Sequence, residues 1–187
     1  ISILSEDFLN DVKNMKHRNL ALELLKKILN DEIKGRAKKN LLKSKKFSEM
    51  LAGTIKRYHN NLLTTAQVLE ELIKLAKDIK DSDKQMEDLG LSENEMAFYD
   101  ALADNDSAKD VLGDKQLVEL AKVLVQKIKS STTVDWTIKD SVQAKLRVEV
   151  RRLLRKFGFP PDKAKLATET VLSQAKLFAE DWSKEIK

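Results

Sequence analysis

The most regular pattern of apolar and polar positions lies in the last third of the chain and predicts an amphipathic helix. Apolar side chains recur there at helical spacing, at Val142, Leu146, Val150, Leu153 and Phe157. At that spacing they share one side of a 3.6-residue helix, and that side must be covered by another element. Gly158 follows directly and is expected to end the helix in the left-handed conformation.

A second helix is predicted after this glycine. Pro160 and Pro161 cannot continue the first helix, but proline fits the first turn of the next one. Apolar residues then recur at Ala164, Ala167, Val171, Ala175, Phe178 and Trp182. The segment from 133 to 182 is therefore expected to fold as an antiparallel helical hairpin.

Similar patterns predict three helices in the first third of the chain. Ser5 is expected to cap a short helix with Phe8, Val12 and Met15 inward. A longer helix is predicted from Arg18, with a stripe that passes Gly35 and comprises Leu22, Leu25, Leu29, Ile33, Ala37 and Leu41. Ser44 is expected to cap the third helix, whose apolar face comprises Phe47, Leu51, Ile55, Tyr58 and Leu62.

Two capping boxes mark helix starts in the middle of the chain. Thr64 with Gln67 precedes a predicted helix that should end at Gly90. The wide apolar surface of this helix comprises Val68, Leu69, Leu72, Ile73, Leu75, Ala76 and Ile79. Ser92 with Glu95 precedes a shorter helix with Met96, Tyr99 and Leu102 inward. A further helix is predicted from Leu117, Leu120, Ala121, Leu124 and Ile128.

Together these patterns predict an all-α fold, an irregular helical bundle of about seven to nine helices with antiparallel helical hairpins. From their number we expect residues 1–187 to form a single domain or a compact pair of subdomains, and the first residue, Ile rather than Met, indicates a fragment of a longer protein. The acidic, turn-rich segment 104–114 is the best candidate for a sub-lobe boundary or an exposed excursion.

Composition restricts the possible compartments and partners. The chain has no Cys, which fits a reducing compartment, and it has neither a long apolar run nor a signal-peptide pattern, so we expect a cytoplasmic protein without membrane contact. Residues 1–60 carry 14 basic and 7 acidic side chains, residues 61–120 carry 6 and 15, and residues 121–187 carry 15 and 8. Both ends are thus basic and the middle is acidic.

Candidate catalytic chemistry is sparse. His17 and His59 stand alone, without the second ligand at helical spacing that a zinc site needs, and no phosphate-binding glycine loop occurs. The acid-x-Lys pattern of magnesium nucleases occurs twice, at Glu32-Ile33-Lys34 and at Glu185-Ile186-Lys187. Both lie in helical patterns rather than on strands, so ordinary solvated helix faces are the favoured interpretation. We predict no catalytic and no metal-binding residue.

Two basic clusters are the remaining candidates for function. The first comprises Lys34, Arg36, Lys38, Lys39, Lys43, Lys45 and Lys46, and the second Lys145, Arg147, Arg151, Arg152, Arg155 and Lys156. As candidate residues for contact with a partner or with phosphates we select Arg147, Arg151, Arg152 and Arg155 together with Lys38, Lys39, Lys45 and Lys46. The alternative is an ordinary solvated face balanced by residues such as Glu149.

Two stretches carry a resemblance to a known family. The first is the run DWTIKDSVQAKLRVEVRRLLRKFGFPPDKA, and the second is the run LTTAQVLEELIKLAKDI. Together they resemble the C-terminal helical region of the restriction (R) subunit of type I restriction-modification enzymes. The similarity extends over about residues 18–177. The motifs are packing patterns and carry no catalytic signature.

The resemblance implies a non-catalytic assembly domain. In that family the parent is an ATP-dependent, site-specific deoxyribonuclease whose nuclease and motor domains precede this region. The tail would attach them to the methyltransferase (M) and specificity (S) subunits. ATP, Mg²⁺ and, through partner subunits, S-adenosylmethionine would serve the parent, and no cofactor is expected in this chain. The alternative is a basic helical module that contacts DNA beside the motor, while an independent enzyme is the least favoured hypothesis.

Overall fold

The computed structural model describes residues 4–131 and 136–185, with side chains for all of these except 180 and 183–185. This part of the chain contains eight α-helices and no strand. The helices are α1 (Glu6–Asn14), α2 (Arg18–Ala37), α3 (Leu41–His59), α4 (Thr65–Asp88), α5 (Glu93–Ala103), α6 (Asp106–Ser131), α7 (Asp140–Lys156) and α8 (Pro161–Glu185). The prediction of an all-α fold with seven to nine helices is confirmed.

The chain divides into two compact units. The first comprises Ile1–Lys38 and Lys43–Asp88, and the second comprises Lys39–Leu42 and Leu89–Lys187. Helix α3 therefore begins with two residues of the second unit and continues in the first. The segment 104–114, considered above as a sub-lobe boundary, lies inside the second unit.

The first unit is built on helices α2 and α4, which pack on each other and on α1. The predicted stripes supply most of its core, in which Leu25, Leu29, Leu72 and Ile79 are fully buried. In α1 the predicted Val12 is buried, and the predicted Phe8 and Met15 are partly buried against the core. Leu9, which the sequence pattern did not single out, is buried as well.

Helix α3 departs from the prediction at both ends. It begins at Leu41, so Ser44 is not a cap but a buried residue of the helix, and its hydroxyl donates to the Ile33 carbonyl at 2.9 Å. At the other end Leu62 lies beyond the helix and is 68% exposed, so its assignment to the apolar face was wrong. The stripe of α2 also stops at Ala37, and the helix passes through Gly35, where the sequence left a break open.

Both capping boxes are confirmed. The Thr64 amide donates to the Gln67 side chain at 2.8 Å, and the Gln67 amide donates to the Thr64 hydroxyl at 3.2 Å. Ser92 and Glu95 form the same reciprocal pair at the start of α5. Each box satisfies backbone donors that have no partner within the helix.

The second unit consists mainly of α5 to α8, in which α5 packs on α6 and α8, and α7 packs on α6 and α8. Segment 104–114, predicted as an exposed excursion or a boundary, consists of a turn and the first part of α6, which has a kink at Gly113 with φ 71° and ψ 166°, and most of its residues are exposed. After the kink every predicted core residue is buried, from Leu117 to Ile128. The Tyr99 hydroxyl of α5 donates to Asp114 at 2.6 Å, directly after the kink.

The predicted hairpin of α7 and α8 is present. Gly158 has φ 77° and ends α7, and Pro161 begins α8. Leu154 rather than Leu153 is the fully buried residue of α7, and Phe159 in the turn is also buried. On α8, Phe178 and Trp182 pack with Phe98 of α5 as an aromatic cluster with ring centroids 5.7 to 6.5 Å apart. Residues 132–135, at the start of the predicted segment, lie outside the described residues.

Candidate functional site

The first basic cluster does not form one surface within either unit. Lys38, Lys45 and Lys46 belong to the first unit, whereas Lys39 belongs to the second. Lys39 pairs with Glu93 at 2.6 Å, and Lys45 lies 3.9 Å from Glu49. Four residues that are close in sequence therefore have different surroundings.

Arg36, in the middle of that sequence cluster, has a structural role. Its guanidinium donates two hydrogen bonds to Asp83 of α4, at 2.5 and 2.7 Å, and lies 3.7 Å from Glu32. A bidentate arginine pair of this kind fixes the two side chains in one geometry. It ties the end of α2 to the polar second half of α4.

In the second cluster, Arg147 likewise forms an ion pair with another residue of the chain. Its Nε and one terminal nitrogen donate to Glu169 of α8, at 2.7 and 3.2 Å. The hydrogen bond from Arg147 holds the pKa of the Glu169 carboxyl below its usual range, and the charges of Arg151 and Lys165 act in the same direction. The same bond raises the pKa of Arg147. The pair links the middle of α7 to α8.

Arg151, Arg152 and Arg155 are exposed on the last two turns of α7. Within the part of the chain that the structure describes, none of the three makes a hydrogen bond or an ion pair. The predicted stripe of arginines is thus divided. Arg147 is paired with Glu169 of the same chain, whereas Arg151 and Arg155 can bind an external anion.

A groove lies beside Arg151 and Arg155 and has a volume of about 270 Å³. Its lining residues come from the end of α7, the connecting turn and the first two turns of α8: Arg151, Arg155, Phe159, Pro161, Ala164 and Lys165. Lys165 was not selected from the sequence. It lies on a different helix, and the hairpin brings it next to the two arginines.

A second and larger groove, of about 580 Å³, lies on another side of α8. It is bordered by the starts of α6 and α8 and contains three carboxylates, those of Asp104, Asp106 and Asp162. In the described residues no group of three or more His, Cys, Asp or Glu side chains is arranged to hold a metal ion.

The remaining sequence candidates have ordinary surroundings. His17 is the exposed residue before α2, and His59 is the exposed last residue of α3. Glu32-Ile33-Lys34 lies within α2 with Ile33 buried in the core. The second acid-x-Lys pattern falls at 185–187, where side chains lie outside the described residues. Among the described helices, none is long and apolar enough to cross a membrane.

Comparison with known families accounts for nearly the whole chain. Residues 1–181 match the family described as "Type I restriction enzyme HindI endonuclease subunit-like, C-terminal". The chain belongs to this family. The match extends the resemblance noted above, which covered about residues 18–177, to the first residues of the chain.

Two relatives carry corresponding names. The type I restriction enzyme HindI endonuclease subunit of Haemophilus influenzae is 41% identical over 181 residues, which cover 97% of this chain. A protein of Methanocaldococcus jannaschii, assigned as the endonuclease subunit of type I restriction enzyme MjaIXP, is 37% identical over 163 residues, or 84% of this chain. The chain spans only 17% and 15% of the lengths of these two relatives. No solved structure is significantly similar to it.

Proposed function

We propose that this chain is an assembly domain of a type I restriction endonuclease R subunit. It would dock the ATP-dependent motor and nuclease parts of the subunit onto the methyltransferase and specificity subunits. The observation that supports the proposal most directly is the match of residues 1–181 to a family of C-terminal regions of such subunits.

The fold is compatible with a scaffold role. Each unit has its own buried core, and both reciprocal capping boxes and the α7–α8 hairpin give rigid helices with defined ends. Rigid helical surfaces can bind a partner with little loss of conformational entropy. In this proposal the nuclease, the ATP site with its Mg²⁺ and any S-adenosylmethionine site belong to other parts of the assembly.

The test is a capture experiment with purified components. The tagged chain is mixed with the methyltransferase and specificity complex encoded beside it, after nuclease treatment to remove DNA that could bridge the proteins. We expect stable capture that persists when the salt concentration is raised, because a packed interface loses less affinity to salt than phosphate contacts do.

A matched variant separates docking from general charge attraction. The double variant Arg151→Gln/Arg155→Gln loses two exposed charges of α7 while keeping good helix formers at both positions. Capture equal to that of the unaltered chain is expected if docking uses a packed surface. Failure of the unaltered chain to capture the complex at any salt concentration would refute the docking proposal.

A further inference from the structure

The groove between the end of α7 and the start of α8 combines three cations with an apolar floor. Arg151, Arg155 and Lys165 form its charged rim, and no acidic side chain is among its lining residues. The Asp162 carboxylate, which lies in the first turn of α8, lines the other groove instead. The rim therefore presents positive charge alone.

The fold holds these cations together although like charges repel. Arg151 and Arg155 are one helical turn apart on α7, a spacing at which two like charges destabilise a helix by a few tenths of a kcal/mol. Phe159, which is 3% exposed, anchors the turn that places Lys165 beside them. The charge of Glu169 interacts with Arg151 and Lys165, but its oxygens already accept two hydrogen bonds from Arg147.

The surrounding sequence enlarges this positive surface. Between residues 151 and 168 the chain has six basic side chains and one acid, Asp162. Arg152 and Lys156 are exposed on α7 beside the rim residues, whereas Lys163 lines the other groove together with Asp162. A group of several cations fits an extended polyanion better than it fits a single carboxylate.

We propose that the groove formed by Arg151, Arg155 and Lys165 binds phosphate groups along one strand of DNA. The backbone positions of Arg151 and Arg155 lie about 6 Å apart along the helix axis, since four residues rise about 1.5 Å each. That distance is close to the roughly 7 Å that two phosphate steps of one strand cover along duplex DNA. Guanidinium groups also match the geometry of phosphate oxygens and can bind them with paired hydrogen bonds.

This inference goes beyond docking and does not depend on it. Phosphate contacts carry no sequence information, so the groove would bind duplexes of different sequence with similar affinity. Arg147 is not part of the proposed site, because its donors are engaged with Glu169.

The experiment measures binding of the chain to a fluorescent duplex of about 20 base pairs by anisotropy, at salt concentrations from about 50 to about 300 mM. Three phosphate contacts predict a slope of about −3 in a plot of log affinity against log salt concentration. Arg151→Gln/Arg155→Gln should reduce the slope by about two and weaken binding about tenfold or more at the lower salt concentrations. Lys165→Gln should reduce the slope by about one, and it tests the same groove from α8.

The control is Lys27→Gln/Lys56→Gln, which removes the same net charge from two exposed lysines of the first unit that lie outside both basic clusters. It should leave the slope and affinity nearly unchanged. An equal loss in this control would show diffuse attraction instead of a groove, and no binding by the unaltered chain at about 50 mM salt would also overturn the proposal. If the arginine variant keeps its DNA affinity but no longer captures the methyltransferase complex, the groove binds partner carboxylates and the proposal is wrong.

Discussion

At the scale of single residues, Arg147, Arg151 and Arg155 show what helical spacing can and cannot predict. All three recur one turn apart, and the sequence correctly placed them on exposed or partly exposed positions of one helix. It could not show that, of these three, only Arg147 donates hydrogen bonds to Glu169, which is 22 residues away. Ion pairs between helices depend on how the helices pack, so periodicity within one helix does not reveal them.

The first prediction concerns the pKa of Glu169. Replacing Arg147 by Gln removes the hydrogen bonds that lower this pKa, so the pKa should rise towards the usual carboxyl range. Because the folded-state pKa is depressed, the ion pair stabilises the fold above the unfolded pKa and loses that effect as pH falls through the folded pKa. The variant should therefore lose more stability at neutral pH than in acid. NMR titration of the Glu169 side chain measures the shift.

The control for this titration is Arg152→Gln, which makes the same chemical change on the same helix. Arg152 is not among the groups that act on Glu169, so the carboxyl should titrate as in the unaltered chain. An unchanged Glu169 pKa in Arg147→Gln would contradict the assignment of this ion pair.

The second prediction concerns the buried hydroxyl of Tyr99. Burial together with the hydrogen bond to Asp114 raises the pKa of Tyr99, and the ring is 1% exposed. Tyr99→Phe keeps the ring but removes the bond to a charged acceptor, which should cost about 1 to 2 kcal/mol of unfolding free energy. Because Asp114 is partly exposed, water can replace the lost donor and keep the cost near the lower value. Denaturant unfolding provides the measurement.

Tyr58→Phe is the matched comparison for Tyr99→Phe. The Tyr58 hydroxyl is 3.4 Å from the Thr65 hydroxyl and is only partly buried, so its removal should change stability by less than about 0.5 kcal/mol. Equal effects of the two substitutions would mean that the contact with Asp114 does not stabilise the kink of α6.

At the scale of helices, the sequence predicted most boundaries that depend on local chemistry. The capping boxes at Thr64 and Ser92 and the stop at Gly158 were found because each signal lies within a few residues of the boundary. Ser44 was misassigned because a serine that bonds to the carbonyl of another helix looks like a cap in the sequence. Gln174 was missed for a related reason, since its buried side chain binds the backbone of Lys39 and Leu41 at a separation of more than 130 residues.

The third prediction compares two glycines in helical surroundings. Gly35 lies within α2, and a Cβ there would meet nothing within 4 Å, so Gly35→Ala should stabilise the fold by about 0.5 to 1 kcal/mol. Gly113 also has open space for a Cβ, but its φ of 71° is unfavourable for any other residue. Gly113→Ala should therefore destabilise by about 1 kcal/mol or more.

Thermal unfolding followed by circular dichroism distinguishes the two glycine variants. Because both substitutions add the same methyl group in open space, a difference in sign isolates the backbone conformation. Stabilisation by Gly113→Ala would show that α6 runs straight through this position in solution.

At the scale of the whole chain, the sequence predicted the fold class and the family but not the division into two units. The division follows no composition signal, because it separates Lys38 from Lys39 and runs through the first turn of α3. The groove formed by Arg151, Arg155 and Lys165 was missed in part because it combines two helices. Lys165 lies on α8 and becomes a neighbour of the two arginines through the packing of α7 on α8.

The fourth prediction tests whether the chain unfolds as a single domain or as a pair of subdomains. Leu72 of the first unit and Leu120 of the second are both fully buried, so Leu72→Ala and Leu120→Ala should each cost about 2 to 5 kcal/mol by leaving a cavity. The chain passes between the units at three points, and α3 has residues in both. Since the hydrogen bonding of a helix is cooperative, we expect the units to unfold together.

In that case each leucine substitution should shift the same denaturant midpoint without changing the m value. The double variant should show nearly additive losses, because the two residues belong to the cores of different units. Independent units would give a different result. Leu72→Ala would then split the unfolding curve into two transitions, and the second would keep the midpoint of the unaltered chain. Tryptophan fluorescence would follow only that second transition, since both Trp136 and Trp182 belong to the second unit. A fluorescence midpoint that does not respond to Leu72→Ala would therefore reject the single-domain prediction, whereas coincident shifts in fluorescence and circular dichroism would support it.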